Sequence, residues 1–203
     1  MLEGLELSAQ RGETLIFAGV SFTLRAGTAL VVTGANGSGK TTLLRIAAGL
    51  STAQAGELFW NSTPVTSFDA RLREATLYVG HATGLKDELD ARENLQSLLS
   101  LHGTPCTPQT LDAALQTVSL EGASDRPVRY LSQGQRRRIG LARLLLSARP
   151  LWVLDEPATA LDAAGIAQLE SMLERHLAAK GMAMISTHQP LALSPERVSV
   201  MTL

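Results

Sequence analysis

The hydrophobic and polar positions of this chain alternate between a strand period and a helix period. Leu5 and Leu7, and later Val20, Phe22 and Leu24, alternate with their neighbours. This alternation predicts short strands in residues 2–25 around a turn at residues 10–13. Uninterrupted apolar runs predict buried parallel strands, and they cover residues 29–33, 75–79, 151–154 and 182–187. A further edge strand is predicted at residues 56–61, and a short terminal strand at residues 197–203.

The middle of the chain follows the helix period instead. Three predicted helices begin with capping signals, which are Asp90 with Glu93, Thr107 with Pro108, and Ser132 with Gln135. The third helix is predicted to span residues 132–149, because Pro150 cannot continue it. Another amphipathic helix is predicted over residues 165–180.

Alternating strands and helices predict an α/β fold with a mixed, mostly parallel sheet. An antiparallel β part precedes this sheet at the N-terminus, and a helical subdomain is inserted into it. At 203 residues the chain fits a single domain. Its α/β core is predicted to comprise residues 1–81 and 150–203, and the helical subdomain residues 82–149.

A glycine-rich loop between the strand at 29–33 and a helix fits the pattern G-x-x-x-x-G-K-[ST]. The loop and the helix start consist of Gly34, Ala35, Asn36, Gly37, Ser38, Gly39, Lys40, Thr41 and Thr42. Glycines let the backbone wrap a phosphate, and the helix N-terminus directs N–H groups at it. Lys40 supplies a charge for the β- and γ-phosphates, and Thr41 a hydroxyl for Mg²⁺. The loop therefore predicts a nucleoside triphosphate site.

Other candidate residues follow the predicted strands. Asp155 ends an apolar strand and is interpreted as a Mg²⁺ ligand rather than a turn or cap residue. Glu156 is interpreted as the carboxylate that polarises an attacking water rather than a surface residue. His188 and His81 also follow strands, and strand ends are where ligands gather in open α/β sheets.

The helix start at Ser132–Gln135 is a second candidate phosphate site, because it offers a hydroxyl, a glycine and free N–H groups. The predicted helix over residues 132–149 is about 27 Å long at ~1.5 Å per residue. The strand before Asp155 returns only about 17 Å at ~3.3 Å per residue. An antiparallel arrangement would carry Ser132 about 10 Å beyond the chain's own site, which favours a nucleotide held by a second copy.

Composition excludes several classes of function. Lys and Arg number 18 and Asp and Glu number 19, so the formal net charge is −1. The absence of a dense basic tract argues against binding of nucleic acid through its phosphates. No apolar run approaches the roughly 20 residues that span a bilayer, and the first residues lack the pattern of a signal peptide. Cys106 is the single cysteine, which excludes an internal disulfide and is compatible with the cytoplasm.

Three further features are interpreted as structural. Arg136, Arg137 and Arg138 are predicted to form a solvated helix face, and Trp152 is assigned to the core. His102 and Cys106 could each bind haem iron. The Cys-x-x-Cys-His motif is missing, however, and residues 103–105 break any helix between the two, so no haem site is predicted.

The motifs together resemble the ATP-binding subunits of ABC transporters over nearly the whole chain. Residues 34–41 resemble Walker A, and residues 151–156 resemble Walker B with its catalytic glutamate. The signature motif is matched by Leu131, Ser132, Gln133, Gly134 and Gln135, where Gln133 replaces the usual glycine. Asp162 lies in a segment similar to the D-loop, and His188 is similar to the switch histidine.

This resemblance implies ATP and Mg²⁺ as cofactors and a head-to-tail dimer with two ATP molecules between Walker A and signature motifs. It also implies contact with transmembrane subunits through the helical subdomain and the loop near His81. The subunit would then lie at the cytoplasmic face of the inner membrane, held peripherally by its partners.

Two departures narrow the family. His81 stands where these proteins usually carry glutamine, and Arg11 falls near the place of the aromatic residue that stacks on adenine. Residues 80–82, 84–86, 93–95 and 131–138 make the chain most similar to the ATPase subunits of cytochrome c maturation systems, described as haem exporters. Two alternatives stay open: a nucleotide-gated assembly module that holds or releases membrane partners, and a soluble ABC ATPase without a transporter.

Overall fold

The computed structural model describes residues 1–101 and 103–203, and within these residues it contains nine strands and six α-helices. The strands are β1 (Leu2–Arg11), β2 (Thr14–Leu24), β3 (Ala29–Thr33), β4 (Ala55–Trp60), β5 (Thr63–Val65), β6 (Thr76–Val79), β7 (Leu151–Asp155), β8 (Met182–Ser186) and β9 (Val198–Thr202). The helices are α1 (Lys40–Ala47), α2 (Ala70–Ala75), α3 (Ala91–Leu101), α4 (Pro108–Thr117), α5 (Gln133–Leu146) and α6 (Ala163–Ala178). The predicted α/β fold is confirmed.

The chain divides into two compact units. The first comprises Met1–Tyr78, Arg149–Glu156 and Leu173–Leu203, and the second comprises Val79–Ala148 and Pro157–Met172. The sequence assigned residues 157–172 to the α/β core, whereas in the structure they group with the helices of the second unit.

A parallel sheet of order β6-β7-β8-β3-β9 forms the centre of the fold. Leu154 of β7 and Val31 of β3 both pair with Ile185 of β8, so these three strands end at the same level. Each reads as a continuous apolar run because it is buried on both faces. Their carboxyl ends therefore place the glycine-rich loop, Asp155 and the residues after β8 along one edge.

The N-terminal strands form a separate antiparallel sheet of order β2-β1-β4-β5. The predicted turn is confirmed, with Gly12 at φ 58° between β1 and β2. The prediction that residues 56–61 form an edge strand is wrong, because β4 pairs with β1 on one side and β5 on the other. The edge belongs to β5, whose three residues are too few to show strand periodicity in the sequence.

The second unit is built on helices α3, α4 and α5, which pack on one another through buried residues such as Leu95, Leu115 and Ile139. All three predicted caps are confirmed. The Asp90 N–H donates to Glu93 at 2.9 Å, and the Glu93 N–H donates back to Asp90 at 2.8 Å. Helices α4 and α5 begin with complete capping boxes at Thr107 and Ser132.

The predicted length of α5 is wrong. The helix ends at Leu146, and Ser147 already has extended backbone. Pro150 restricts only the residue directly before it, so it does not define where the helix ends. Its 14 residues span about 21 Å at ~1.5 Å per residue. The overshoot relative to β7 falls from about 10 Å to about 4 Å, so helix length no longer argues for a second copy.

Two further expectations concern the core and the haem ligands. Trp152 is 4% exposed, which confirms its place in the core. The interpretation of His102 with Cys106 cannot be followed, since His102 lies outside the described residues. Among the residues that the structure describes, none of the helices is both long and apolar enough to cross a bilayer.

Candidate nucleotide site

The glycine-rich loop connects β3 to α1 through backbone conformations that favour glycine. Gly34 has φ 143°, and a Cβ at this position would lie 2.6 Å from the Leu203 carbonyl oxygen and 2.7 Å from Ser38 Oγ. Gly39 at φ 103° is the N-cap of α1. A glycine N-cap has no side chain with which to cap the first turn, so the N–H groups there can serve an anion.

Two buried polar groups of this loop fit a phosphate. Lys40 is 8% exposed, and its Nζ donates to the carbonyl oxygens of Gly34 at 2.8 Å and Ala35 at 3.0 Å. Ser38 Oγ is buried and has no hydrogen-bond partner among the described residues. Buried hydroxyl groups are normally hydrogen-bonded, so this oxygen and the Lys40 ammonium together mark a place for an anionic ligand.

Asp155 ends β7 beside the start of α1 and is 1% exposed. Thr41 Oγ1 donates to its Oδ2 at 2.8 Å, and Ser186 Oγ donates to its Oδ1 at 2.7 Å. A hydroxyl and a carboxylate are the hard oxygen donors that Mg²⁺ prefers when it takes few protein ligands and several from phosphates and water. The pair Thr41–Asp155 therefore fits a magnesium ion bound together with a nucleotide.

Glu156 is held by its backbone directly after this strand. Its N–H donates to the Ser186 carbonyl at 3.1 Å and to Ser186 Oγ at 3.0 Å, and its φ is +53°. This left-handed conformation is uncommon for a residue with a side chain. Glu156 Oε1 lies 3.3 Å from Nε2 of His188, with 17% and 49% of the two side chains exposed. The acid and the imidazole therefore form a partly exposed pair that can bind water.

The second unit contains the predicted signature residues, which begin α5. Leu131 is 7% exposed, and Ser132 and Gln135 form the capping box. A Cβ on Gly134 would lie 2.8 Å from the Ala160 carbonyl oxygen. Gly134 is therefore required for the close approach of residues 158–162 to the start of α5, whereas position 133 accepts glutamine.

Asp162 is fixed by two donors of the second unit. Its Oδ1 accepts from the Gly165 N–H at 2.9 Å and from the Arg138 guanidinium at 2.6 Å. The Gly165 hydrogen bond, followed by the charge and hydrogen bond of Arg138, lowers the pKa of Asp162 below its ordinary value. Asp162 is therefore ionised at neutral pH and anchors the segment before α6.

The predicted solvated face of Arg136, Arg137 and Arg138 is wrong for two of the three. Arg136 is partly exposed and pairs with Asp87 at 3.0 Å. Arg137 is 4% exposed and donates to carbonyl oxygens at Gly80, His81 and Pro157. Arg138 contacts Asp162 and the Val118 carbonyl. These acceptors lie far away in sequence, so helix periodicity could not reveal them.

His81 follows β6 and is exposed. It lines a cavity of about 530 Å³ within the second unit. Gln133, Arg136, Arg137, Thr159 and Ala160 line the same cavity. The structure thus brings His81 together with signature residues and with the segment that leads to Asp162.

The family model described as "ABC transporter" matches residues 17–159. The chain belongs to this family. Within the ABC transporter family it is 42% identical over 203 residues to the "Cytochrome c biogenesis ATP-binding export protein CcmA" of Nitrosomonas europaea, which covers 100% of this chain and 95% of that protein. The protein of the same description from Methylococcus capsulatus is 47% identical over 189 residues, covering 93% and 90%. These relatives confirm the resemblance predicted from the motifs.

Solved structures of ABC cassettes share the fold. A putative ABC transporter ATP-binding protein from Pyrococcus furiosus superposes with a TM-score of 0.83 at 24% identity, covering 98% of this chain and 96% of that one. The cassette MJ0796, in a dimeric post-hydrolysis state bound to ADP and Pi, gives 0.81 at 23% identity and covers 93% and 88%.

The cavity that includes Arg11 in this ABC transporter family member is lined mainly by polar residues. This cavity of about 640 Å³ in the first unit borders α1 at Thr42 and Arg45. Phe17 is 8% exposed and packs beneath the loop, 2.8 Å from the place of a Cβ on Gly39. No aromatic side chain lines this cavity among the described residues, in keeping with Arg11 at the position where the family usually carries one.

The structure also shows partners that sequence reasoning missed. Ser186 joins Asp155 to the backbone of Glu156, yet in the sequence it is only the last residue of an apolar strand. A hydroxyl at the end of a buried strand beside a phosphate loop is the one signal that could have identified it.

Proposed function

We propose that this chain is the ATP-binding and ATP-hydrolysing subunit of a membrane export complex in cytochrome c biogenesis. The observation that carries the proposal is the cluster of Lys40, Thr41, Asp155, Glu156 and His188 at one edge of the parallel sheet. Relatives of this chain are described as cytochrome c biogenesis ATP-binding export proteins. This description supports the same function for the chain.

The loop and α1 bind the triphosphate. The Lys40 ammonium exchanges its two loop carbonyls for phosphate oxygens, and the first N–H groups of α1 donate to the anion. Thr41 and Asp155 hold Mg²⁺ when it is bound, and the ion supplies charge neutralisation on the phosphates. Ser186 keeps Asp155 oriented for this contact.

Glu156 is the proposed general base for hydrolysis. Its carboxylate accepts a proton from the attacking water, whose oxygen forms the new bond to the γ-phosphorus while the bond to ADP breaks. His188, 3.3 Å from Glu156, donates to the γ-phosphate, and His81 hydrogen-bonds the water. The products are ADP and phosphate.

The signature residues Leu131, Ser132, Gln133, Gly134 and Gln135 serve the nucleotide of a second copy in a head-to-tail dimer. A dimeric solved cassette of the same fold supports this arrangement. Transmembrane subunits bind the helical subdomain and hold the chain at the cytoplasmic face of the inner membrane. Haem is the proposed cargo of the complex and has no site assigned in this chain.

A pair of variants tests the function. Lys40→Ala should lose ATP affinity, because it removes the buried cation, whereas Glu156→Gln should keep ATP binding and lose hydrolysis. Phosphate release and equilibrium binding of a fluorescent ATP analogue measure the two effects on the full chain. Near-normal turnover by Glu156→Gln would contradict the assignment of the base, and unchanged binding by Lys40→Ala would contradict the assignment of the loop.

A nucleotide-gated assembly module is the second candidate, favoured by the polar cavity at Arg11 in place of an aromatic platform. In that case ATP binding alone would release membrane partners, and Glu156→Gln would leave the release unchanged. Turnover that rises when membrane partners are added would favour the transporter ATPase. Affinity purification from detergent-solubilised membranes identifies those partners.

A further inference from the structure

Arg137 is the most deeply buried arginine at the start of α5, with 4% of its surface exposed. Its Nη1 donates to two consecutive carbonyl oxygens, at 2.9 Å to Gly80 and at 3.3 Å to His81. Its Nε donates to the Pro157 carbonyl at 3.2 Å. One planar guanidinium therefore joins three backbone segments of the second unit: α5, the loop after β6, and the residue after Glu156.

The choice of acceptors gives Arg137 more than a packing role. A buried cation needs hydrogen bonds, but any carbonyl oxygens would satisfy it. Here the acceptors are the carbonyl oxygens of Gly80 and His81 and that of Pro157, the residue after Glu156. The His81 side chain lines the cavity beside Gln133. His81 and Glu156, which lie at or next to these acceptors, both have a role in the proposed hydrolysis.

A guanidinium suits this task because of its shape. Its donors form a rigid planar fork, so contacts on two edges fix the separation and orientation of the groups they bind. A lysine ammonium is a single point donor on a flexible stem, and a glutamine amide is shorter and donates from one nitrogen. Neither can serve both edges with the same geometry.

We propose that Arg137 is a positioning residue of the ATPase reaction, which holds the His81 loop in a fixed relation to the backbone of Pro157, the residue after Glu156. The inference rests on the proposed function. Arg137 acts through the backbone on the place of the His81 imidazole, and it does not touch the nucleotide. Loss of its contacts therefore slows the chemical step and leaves nucleotide affinity almost unchanged.

The test is a double-mutant cycle on the full chain, in complex with its membrane partners where these are needed for turnover. Arg137→Gln should lower kcat by about 10- to 100-fold, because displacing a reacting group by about 1 Å has effects of this size. The KM for ATP should stay within about twofold, since ground-state binding is untouched. Arg137→Lys should lose less activity than Arg137→Gln.

The His81→Ala background separates positioning from stability. Without the imidazole, Arg137→Gln should lower kcat by less than about threefold, because residues that act through one another give non-additive effects. A purely structural role would lower kcat by the same factor in both backgrounds and follow the loss of folded protein in thermal melts. That outcome would overturn the inference. If Arg137→Gln does not fold, the same double-mutant cycle with Arg137→Lys distinguishes the positioning role from a purely structural one.

Two controls distinguish failure of the inference from failure of the function. Arg92→Gln removes another arginine of the second unit, which pairs with Asp112 at 2.8 Å and Asp125 at 3.1 Å on the surface, and kcat should stay within about twofold. Glu156→Gln shows that turnover belongs to this site. Glu156-dependent turnover that Arg137→Gln leaves unchanged would overturn only the inference. Absence of Glu156-dependent turnover would overturn both.

Discussion

At the scale of single residues, one hydroxyl links the Asp155 carboxylate to the backbone of Glu156. Ser186 is 0% exposed, and its Oγ donates to Asp155 at 2.7 Å while it accepts from the Glu156 N–H at 3.0 Å. Both contacts use one atom, so the direction of the Asp155 carboxylate depends on the backbone that presents Glu156. Ser186 thus supports the proposed metal ligand and the proposed base together.

We expect Ser186→Ala to lower both the stability of the fold and the affinity of the site for Mg²⁺. The free energy of unfolding should fall by about 1–2 kcal/mol, because the Glu156 N–H and Asp155 each lose a partner. The Mg²⁺ concentration for half-maximal ATPase activity should rise about tenfold, as is typical when the support of a metal ligand is removed. Magnesium titrations of phosphate release measure this. Ser199→Ala, an exposed serine of β9, is the control and should behave as wild type.

The sequence predicted those site residues that belong to a recognisable motif. Lys40, Asp155 and Glu156 follow apolar strands, and the strand pattern alone placed them at one edge of the sheet. Arg137 and Ser186 were not predicted, because their roles depend on partners 20 or more residues away in the chain. A helix-face pattern records which side is apolar, not which carbonyl a guanidinium reaches.

At the scale of elements, long apolar runs were predictable and short or broken elements were not. Strand β3 coincides with the predicted residues 29–33, since four buried apolar residues in succession before Thr33 leave little choice. Helix α2 has six residues and β5 has three, too few to show a period. The end of α5 was misplaced because Pro150 was the one stop signal used, whereas the helix already ends at Leu146.

A stacked ring pair between β7 and α6 has a consequence for stability. Trp152 and His176 lie with centroids 3.7 Å apart and planes within 6°. Nε2 of His176 is 3.2 Å from the Met182 carbonyl, and a Cβ on Gly181 would lie 2.3 Å from the imidazole ring. The ring therefore packs closely between Trp152 and Gly181 and is partly buried. Burial lowers the pKa of His176 below its ordinary value of 6.5.

We expect His176 to make the fold less stable in mild acid. Because its pKa is lower in the folded state, the unfolded chain binds the proton more readily. The stabilising contribution is complete above pH 6.5 and is lost as the pH falls toward the folded pKa. His176→Phe keeps a ring without a titrating nitrogen, so it should lose less stability between about pH 7.5 and 5.5 in urea unfolding. An unchanged pH dependence in this variant would contradict the account.

At the scale of the whole molecule, each of the two units contains one of the predicted phosphate-binding features. The first unit contains the glycine-rich loop, and the second contains the capped start of α5 with Gly134 against Ala160. Sequence reasoning linked these features through the length of α5, which was predicted four residues too long. The proposed head-to-tail dimer therefore needs a test in which each copy supplies only one of the two features.

Complementation between two inactive variants provides that test. Lys40→Ala disables the phosphate loop. Gly134→Asp disables the start of α5, because its Cβ meets the Ala160 carbonyl and its charge repels a phosphate.

In a mixed head-to-tail dimer, one nucleotide position receives both defects and the other receives none. An equimolar mixture should regain about a quarter of wild-type turnover, since half the dimers are mixed and each has one intact position. If each copy instead used its own loop and helix, both copies would stay defective and mixing would restore nothing. Thermal melts of both variants verify that they fold.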